Sequence, residues 1–396
     1  MTTVQESILR SVPWRERLAL DDDAGTLLRL CGRRTLAEPV PSFLREIGLR
    51  LAPAEWEALL ERAQPHGMGP LVFAHAAQAG LLAAMPARVT ASLKEAYCRS
   101  LVANRVMQED LATVLAAFAV QGVSAIAVKG VLLAARYYGE AALRPSSDMD
   151  LLVSHGNLAR AASIVEGLGY APISEHATLL DDLALRFRQL RFEKAGAPAL
   201  ELHVELSSLP GYHAAFAGRA IWERTEAADC RGVSALCLGR GDELRHLCLH
   251  FAVQHAGERL IWLVDIAEAV RSWPRDRSWS AFVDETIALG LATPVAVSLA
   301  LARDRLGLDV PDAMLAGMAE AMSSPRERTT WRVASLPFSS PERAMRHFLA
   351  LPSPLERLAF LRSLSVSALR RSRRYLVFGR TWHSPMPKRR GHSEGP

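Results

Sequence analysis

Two aspartates separated by one residue, Asp148 and Asp150, constrain this chain more than any other feature. They lead into an apolar run, residues 151–153, of the kind that forms a buried strand. In a β-strand, residues i and i+2 point to the same face, so the two carboxylates would lie side by side. Like charges at that spacing cost free energy unless a cation lies between them. The pattern predicts a site for a divalent metal, most simply Mg²⁺; an exposed turn or a helix cap is the alternative for an isolated Asp-x-Asp.

A second stretch, residues 199–206, offers a third carboxylate to this site. Its sequence, ALELHVEL, alternates apolar and polar side chains, as a half-buried strand does. The polar face carries Glu201, His203 and Glu205, and Glu201 is the candidate ligand. An edge strand with one solvated face would show the same alternation, so that alternative stays open.

Three histidines lie close together in the second half of the chain. His246 and His250 are spaced i and i+4, on one face of a predicted helix, and His255 follows. Zinc binding is one interpretation of H-x-x-x-H. The stretch lacks the glutamate that H-E-x-x-H proteases use as a base, since residues 247–249 are Leu-Cys-Leu. We therefore interpret these histidines as buried residues that fix the packing of the helices. A role in lining a substrate cleft is the open alternative.

Composition indicates a soluble, multidomain protein of the cytoplasm. The 396 residues allow two or three domains, and 49% hydrophobic with 22% charged residues is ordinary for globular proteins. Five scattered cysteines without a CxxC pair favour neither a disulfide framework nor a zinc knuckle. The N-terminus lacks the basic and apolar regions of a signal peptide.

The basic charge of the chain is confined to its end. Residues 370–396 hold eight Lys or Arg and one Glu, which leaves a formal charge of −2 for residues 1–369 out of a total of +5. A nearly neutral body disfavours a nucleic-acid partner. The basic amphipathic segment, residues 355–376, is either a docked terminal helix or a segment that lies on a membrane, as a weak contact, or on a nucleic acid. The tail beyond it is predicted to be disordered.

The order of periodic segments predicts an α+β fold with a small mixed sheet and helical regions on both sides. Within the predicted core, a strand at 123–128 is followed by the Lys129-Gly130 turn and a helix at 131–138. A second strand at 149–153 precedes a hairpin of strands 185–194 and 199–206. We divide the chain into four regions: N-terminal helices 1–120, core 121–210, helices closing the cleft 211–345, and basic segment with tail 346–396.

Taken in order, these motifs resemble a known family. The succession of Lys129-Gly130, Arg144, Asp148-x-Asp150, LELH, HxxxxH and WLVD is similar to that of the bacterial uncharacterised nucleotidyltransferases. That family belongs to the DNA polymerase β-like superfamily, alongside kanamycin nucleotidyltransferase. The resemblance spans roughly residues 50 to 300.

The resemblance implies a metal site and a nucleotide site. It implies two Mg²⁺ ions held by Asp148, Asp150 and Glu201, which are also the catalytic residues. It implies a nucleoside triphosphate such as ATP, bound by four residues: Lys129, Gly130, Arg144 and His203. The superfamily's usual turn is Gly-Ser, and this chain has Lys-Gly instead, so Lys129 and backbone N–H groups would replace the serine hydroxyl.

The activity implied is transfer of a nucleoside monophosphate group to a hydroxyl-type acceptor on a small molecule or peptide. Two alternatives stay open. One is a protein-nucleotidylating modifier of the toxin or antitoxin type, and the other is a non-catalytic binding scaffold on the same fold. The sequence identifies neither the acceptor nor the preferred nucleotide.

Overall fold

The fold was analysed in a computed structural model of the chain. It describes residues 3–18, 20–37, 39–173, 189–207, 209–274 and 278–335, with single positions at 345, 348, 349, 354, 357, 358 and 361. The chain divides into a unit of Met1–Ala350 and a unit of Leu351–Pro396. Most of the predicted basic segment, and the whole of the predicted disordered tail, lie outside the described residues.

The first third of the chain is helical, as predicted. Helix α4 begins at Pro53, where the missing N–H costs no hydrogen bond, and α6 is a single long helix of 34 residues. A short 3₁₀ turn at Arg15–Leu18 separates α1 from α2. The helices are α1 (Thr3–Arg10), α2 (Asp23–Leu30), α3 (Val40–Arg50), α4 (Pro53–Ala63), α5 (Gly69–Gln78) and α6 (Ala87–Val120).

A mixed sheet of seven strands follows, counted over the described residues, so the α+β prediction is confirmed. Its spatial order is β3-β4-β5-β2-β1-β7-β6. The central strands β2 and β5 pair in parallel, whereas β1 pairs with β2 and β4 with β5 in antiparallel fashion. The strands are β1 (Ala125–Val128), β2 (Asp148–Val153), β3 (Ala171–Pro172), β4 (Gln189–Glu193), β5 (Ala199–His203), β6 (Glu226–Cys230) and β7 (Val233–Cys237).

The position of β5 rules out the edge-strand interpretation of its alternating sequence. It lies between β2 and β4 as the antiparallel partner of β4, so the predicted hairpin is confirmed over its described residues. Leu200 and Leu202 are fully buried on one face. Glu201 and His203 are on the opposite face, which is the face of the sheet that carries the polar side chains of β2.

One element contradicts the prediction that residues beyond 210 return to helix. Strands β6 and β7 form a hairpin there and extend the sheet past β1. Their connection is a two-residue turn, Arg231-Gly232, with both residues at positive φ (53° and 82°), the geometry that matches strand twist. The short strands contain few β-branched residues and no Asn-Gly or Asp-Gly turn, so the local signal was weak.

The remaining helices cover the sheet and build the second half of the unit. Two of them, α7 and α10, continue into π-helical turns at Ala134–Tyr138 and His250–Gln254. Apart from the β6–β7 hairpin, the helical prediction for residues 211–345 is confirmed as far as the structure describes them. The bounds are α7 (Gly130–Leu133), α8 (Leu158–Gly167), α9 (Arg219–Glu223), α10 (Arg240–Leu249), α11 (Leu260–Arg271), α12 (Trp279–Ala288), α13 (Ala292–Leu306), α14 (Asp312–Met322) and α15 (Pro325–Ala334).

Two apolar cores lie on opposite faces of the sheet. Met149 and Leu151 belong to the core beneath α8 and the end of α6, whereas Leu152 belongs to the core shared with the N- and C-terminal helices. Because alternate residues share a face, Asp148 and Asp150 are on the Leu152 side. Each helix in the described part of the chain is too short or too polar to cross a bilayer.

Candidate active site

The parallel pairing of β2 and β5 brings together the two acidic motifs predicted from the sequence. In that register Asp150 is opposite Glu201, and His203 lies opposite Leu152, one pleat further on. One ligand atom each from Asp150, Glu201 and His203 lies within 4.8 Å of the other two, and all three ligand groups are buried. Two local sequence patterns, distant along the chain, therefore form one cluster.

The spacing of these atoms suits a shared metal ion. His203 Nε2 is 2.7 Å from Asp150 Oδ1 and 3.5 Å from Glu201 Oε2. Neighbouring ligands of an octahedral Mg²⁺, each bound at about 2.1 Å, are about 3 Å apart. The donor set of two carboxylates and an imidazole therefore fits a divalent cation such as Mg²⁺ or Mn²⁺.

The cluster differs in composition from the predicted trio of Asp148, Asp150 and Glu201. His203 takes the third place, and Asp148 lies outside the tight group, half-buried, where its Oδ1 accepts a hydrogen bond from Ser147 Oγ at 3.1 Å. Asp148 as a metal ligand therefore stays a prediction. His203 is on the polar face that the sequence predicted for this strand, so the alternation of polar and apolar residues was the signal for its position.

A buried cation faces the cluster from the turn after β1. Lys129 Nζ is 3.5 Å from Asp150 Oδ1, and the Lys129 side chain is only 15% exposed. The turn is sharp: Lys129 and Gly130 both have positive φ, 55° and 49°. A Cβ at Gly130 would be 3.1 Å from the Asp148 carbonyl oxygen, so glycine is required both for the backbone angle and for the close approach to β2.

The three carboxyl groups respond differently to the same burial. Burial opposes ionisation of Asp150, but the charge of Lys129 and the hydrogen bond from His203 outweigh it and hold the pKa of Asp150 well below its usual range. Burial, followed by the negative charge of Asp150, raises the pKa of both Asp148 and Glu201. A divalent cation would relieve this repulsion.

Arg144, predicted to bind the triphosphate, lies in the loop before β2 and is almost fully buried. Its Nη2 donates to Asp265 Oδ2 at 2.8 Å and its Nη1 to Ser146 Oγ at 3.1 Å. Asn104 Nδ2 on α6 donates to the Arg144 carbonyl at 2.7 Å. These bonds fix the loop that leads into Asp148. The partner of Arg144 is the aspartate of the WLVD motif, to which the sequence assigned no role. Contact between Arg144 and a nucleotide stays a prediction.

The acidic cluster lies in a cleft of about 880 Å³. One wall comes from α6 and from the loop between α4 and α5, including Arg99, Ser100 and Pro65. The loop is held in place because the His66 carbonyl accepts a hydrogen bond from the Ile261 N–H at 3.1 Å. The sequence had shown no chemistry in the N-terminal helices, yet they supply part of the cleft.

Another part of the cleft is lined by the three histidines and Trp262. Ring centroids are separated by 6.5 Å between His246 and His250, 4.5 Å between His250 and His255, and 4.3 Å between His255 and Trp262. Burial and the charge of Lys129 lower the pKa of both His246 and His250 well below the usual range, so these rings are neutral. Among the described residues, the three histidines form no metal-binding group with other ligands.

Comparison with known proteins adds one finding. The model of a protein family described as uncharacterised nucleotidyltransferase matches residues 52–307, which span the sheet, the cleft and both walls. No curated protein matches the chain.

Proposed function

Since the chain belongs to the family of uncharacterised nucleotidyltransferases, we propose that it transfers a nucleoside monophosphate group from a triphosphate such as ATP to a hydroxyl acceptor, with Mg²⁺. The acceptor is a small molecule or a peptide. We further place the chain in the DNA polymerase β-like superfamily. One observation carries the proposal: Asp150, Glu201 and His203 converge beside buried Lys129 at the floor of a cleft.

The acidic cluster would hold the metal. Asp150, Glu201 and His203 would hold one Mg²⁺, and Asp148 would help to hold a second. Bound divalent ions neutralise charge that develops on the α-phosphate and on the leaving pyrophosphate, and they orient the entering and leaving oxygens.

Lys129 is suited to the triphosphate. Its ammonium group is largely withdrawn from water and its nearest partner is a carboxylate at 3.5 Å, so its attraction for phosphate oxygens is weakly screened. Gly130 lets the backbone of the turn come close to β2. Arg144, paired with buried Asp265, keeps the loop before Asp148 in place.

Glu201 is the candidate proton acceptor. Burial and the charge of Asp150 raise its pKa in the metal-free site. A bound cation would oppose that shift, so the proposed role of Glu201 as base rests on its position at the metal site. Arg191 Nη1 is 3.5 Å from Oε1 and orients the group. Glu201 would take the proton of the acceptor hydroxyl as the new oxygen–phosphorus bond forms and the bond to pyrophosphate breaks.

Thermal unfolding with nucleoside triphosphates tests the proposal. At about one hundred times Kd a ligand stabilises by about 2.7 kcal/mol, so ATP with Mg²⁺ should raise Tm by several degrees. The double variant Asp148→Asn/Asp150→Asn and the single variant Glu201→Gln should lose this increase. Asp284→Asn, which alters an exposed carboxylate on α12 away from the cleft, should keep it.

Two results would contradict the proposal. If none of the four triphosphates stabilises the wild type with Mg²⁺ or Mn²⁺, the chain is a non-catalytic scaffold. If the double variant is stabilised as strongly as the wild type, the nucleotide binds elsewhere.

A further inference from the structure

Four rings line one part of the cleft, and the most buried of them has an unused hydrogen-bonding atom. We call His246, His250, His255 and Trp262 the imidazole wall. His246 is 1% exposed, and its Nε2 has no hydrogen-bond partner among the described residues. A buried polar atom without a partner costs free energy, and in a cleft a bound ligand is the natural source of the missing bond.

The other ring nitrogen determines what Nε2 can do. The backbone of Leu206 raises the pKa of the His246 ring, which is the effect of a carbonyl that accepts from a ring N–H, and since Nε2 is unpaired the nitrogen that faces it is Nδ1. A backbone carbonyl only accepts, so Nδ1 carries the proton and Nε2 keeps its lone pair. Nε2 can therefore accept a hydrogen bond from an O–H or N–H group of a ligand.

The wall runs from the acidic cluster outward. His246 is close enough to Lys129 and Asp150 to feel both charges, whereas His255 and Trp262 follow at ring-to-ring steps along the cleft. His255 remains 35% exposed on its side chain. Counted outward from the acidic cluster, the wall therefore offers first a hydrogen-bond acceptor and then an aromatic surface. A nucleotide whose phosphates lie at the acidic cluster would present its sugar and then its base in the same order.

We propose that the imidazole wall is the nucleoside subsite of the triphosphate. His246 Nε2 accepts a hydrogen bond from a ribose hydroxyl, and the outer rings at His255 and Trp262 contact the base. Neutral rings suit an uncharged nucleoside better than further phosphates, and contact between bases and aromatic rings tolerates any base. This inference rests on the proposed function and names the residues that hold the nucleoside half of its substrate.

Calorimetric titration with two probes, ATP and inorganic tripolyphosphate, each with Mg²⁺, separates the nucleoside from the phosphates. His246→Asn keeps a donor near Nδ1 and loses the acceptor, whereas His246→Gln places an amide oxygen near Nε2. We expect the Asn variant to bind ATP about tenfold more weakly and the Gln variant to stay within about threefold of wild type. Trp262→Leu should also weaken ATP binding by about three- to tenfold.

Tripolyphosphate should bind all three variants as it binds the wild type, which also checks their folding. The matched control is His75→Asn, a buried histidine outside the cleft whose Nε2 is already paired with the Arg33 carbonyl at 2.7 Å; it should leave both affinities unchanged. In the wild type, either 2′-deoxy-ATP or 3′-deoxy-ATP should bind more weakly than ATP, and His246→Asn should remove that difference.

Equal losses for ATP and tripolyphosphate would overturn the subsite, and so would unchanged ATP affinity in His246→Asn. A wild type that binds neither probe would instead reject the proposed function itself. The two failures are therefore distinguishable.

Discussion

At the scale of single residues, the site is defined by one buried carboxylate whose charge is held in place. Asp150 is surrounded by Lys129 at 3.5 Å and His203 at 2.7 Å, while the neighbouring carboxyl groups have raised pKa values. Lys129 therefore has two opposing effects. It attracts phosphate oxygens, and it repels any metal ion that Asp150 would bind.

Replacing Lys129 by methionine should separate these effects. Lys129→Met should bind Mg²⁺ or Mn²⁺ alone about threefold or more tightly, because a neighbouring cation is gone. It should bind ATP with Mg²⁺ at least about tenfold more weakly, because a charge-assisted contact is lost. Calorimetry with Mn²⁺ and with ATP measures both, and Lys94→Met, at an exposed lysine away from the cleft, is the control. Weaker binding of both ligands would contradict this account.

A second buried carboxyl, Glu243 on α10, lies outside the cleft and should govern a pH dependence of stability. Tyr137 Oη donates to it and Arg136 Nη1 is 3.3 Å away, yet burial raises the pKa of Glu243 to about 7. Between its ordinary value of 4.5 and about 7, the folded state keeps a proton that the unfolded state has lost. This group therefore makes the free energy of unfolding fall as pH rises through that window.

Glu243→Gln should remove this contribution. Urea unfolding of wild type and variant at several pH values from 5 to 8 measures it. The stability of the variant relative to wild type should improve as pH rises through the window and become constant above it. Parallel curves for the two proteins would show that Glu243 titrates normally.

At the scale of elements, one π-helical turn connects helices and the other contributes rings to the cleft. The turn after α7 carries Tyr137 and Tyr138, whose hydroxyls reach Glu243 on α10 and Asp265 on α11. The turn after α10 begins at His250 and ends one residue before His255, so it helps to position two of the four rings of the imidazole wall. Such turns recur at functional sites because one extra residue redirects the side chains that follow.

The turn at Lys129-Gly130 provides a paired test at this scale. Gly130→Ala adds a Cβ at positive φ and 3.1 Å from the Asp148 carbonyl, whereas Gly139→Ala adds one at φ 72° with nothing within 4 Å. Both should lose about 1–2 kcal/mol of stability through backbone strain. Only Gly130→Ala should also weaken ATP binding, because it displaces the start of β2. Equal binding in the two variants, measured by calorimetry alongside urea unfolding, would argue against this coupling.

At the scale of the molecule, the site is held where three parts of the first unit meet: the N-terminal helices, the sheet and the C-terminal helices. The Arg144–Asp265 pair joins the loop before β2 to α11, and Asn104 ties the same loop to α6. Both partners of the ion pair are buried, with side chains 7% and 1% exposed. The ion pair therefore contributes to the stability of the fold because each buried charge neutralises the other.

Removing one partner should be costly. Asp265→Asn leaves a buried guanidinium without its carboxylate and should lower the free energy of unfolding by about 3 kcal/mol or more. Changing both residues, in Arg144→Met/Asp265→Leu, should recover much of that loss. Arg219→Gln, which breaks an exposed pair with Glu223, should change stability by less than about 0.5 kcal/mol. Urea unfolding checks all three; additive losses in the double variant would contradict the pairing.

Much of the site could be predicted from the sequence because its signals are local. Alternation along a strand depends only on neighbouring residues, so Asp148 with Asp150, and Glu201 with His203, could each be assigned to one face before any pairing was known. The long helix α6 and the strands around the Lys129-Gly130 turn followed from the same kind of periodicity.

What only the tertiary structure decided depends on contacts between distant residues. The parallel register of β2 and β5 brings His203 into the ligand cluster and leaves Asp148 outside it. The β6–β7 hairpin, whose sequence carries only a weak strand signal, pairs with β1. The burial that pairs Arg144 with Asp265, and that leaves His246 Nε2 facing the cleft, has no local signature. The sequence therefore determined which side chains can carry the chemistry, and packing determined which of them meet.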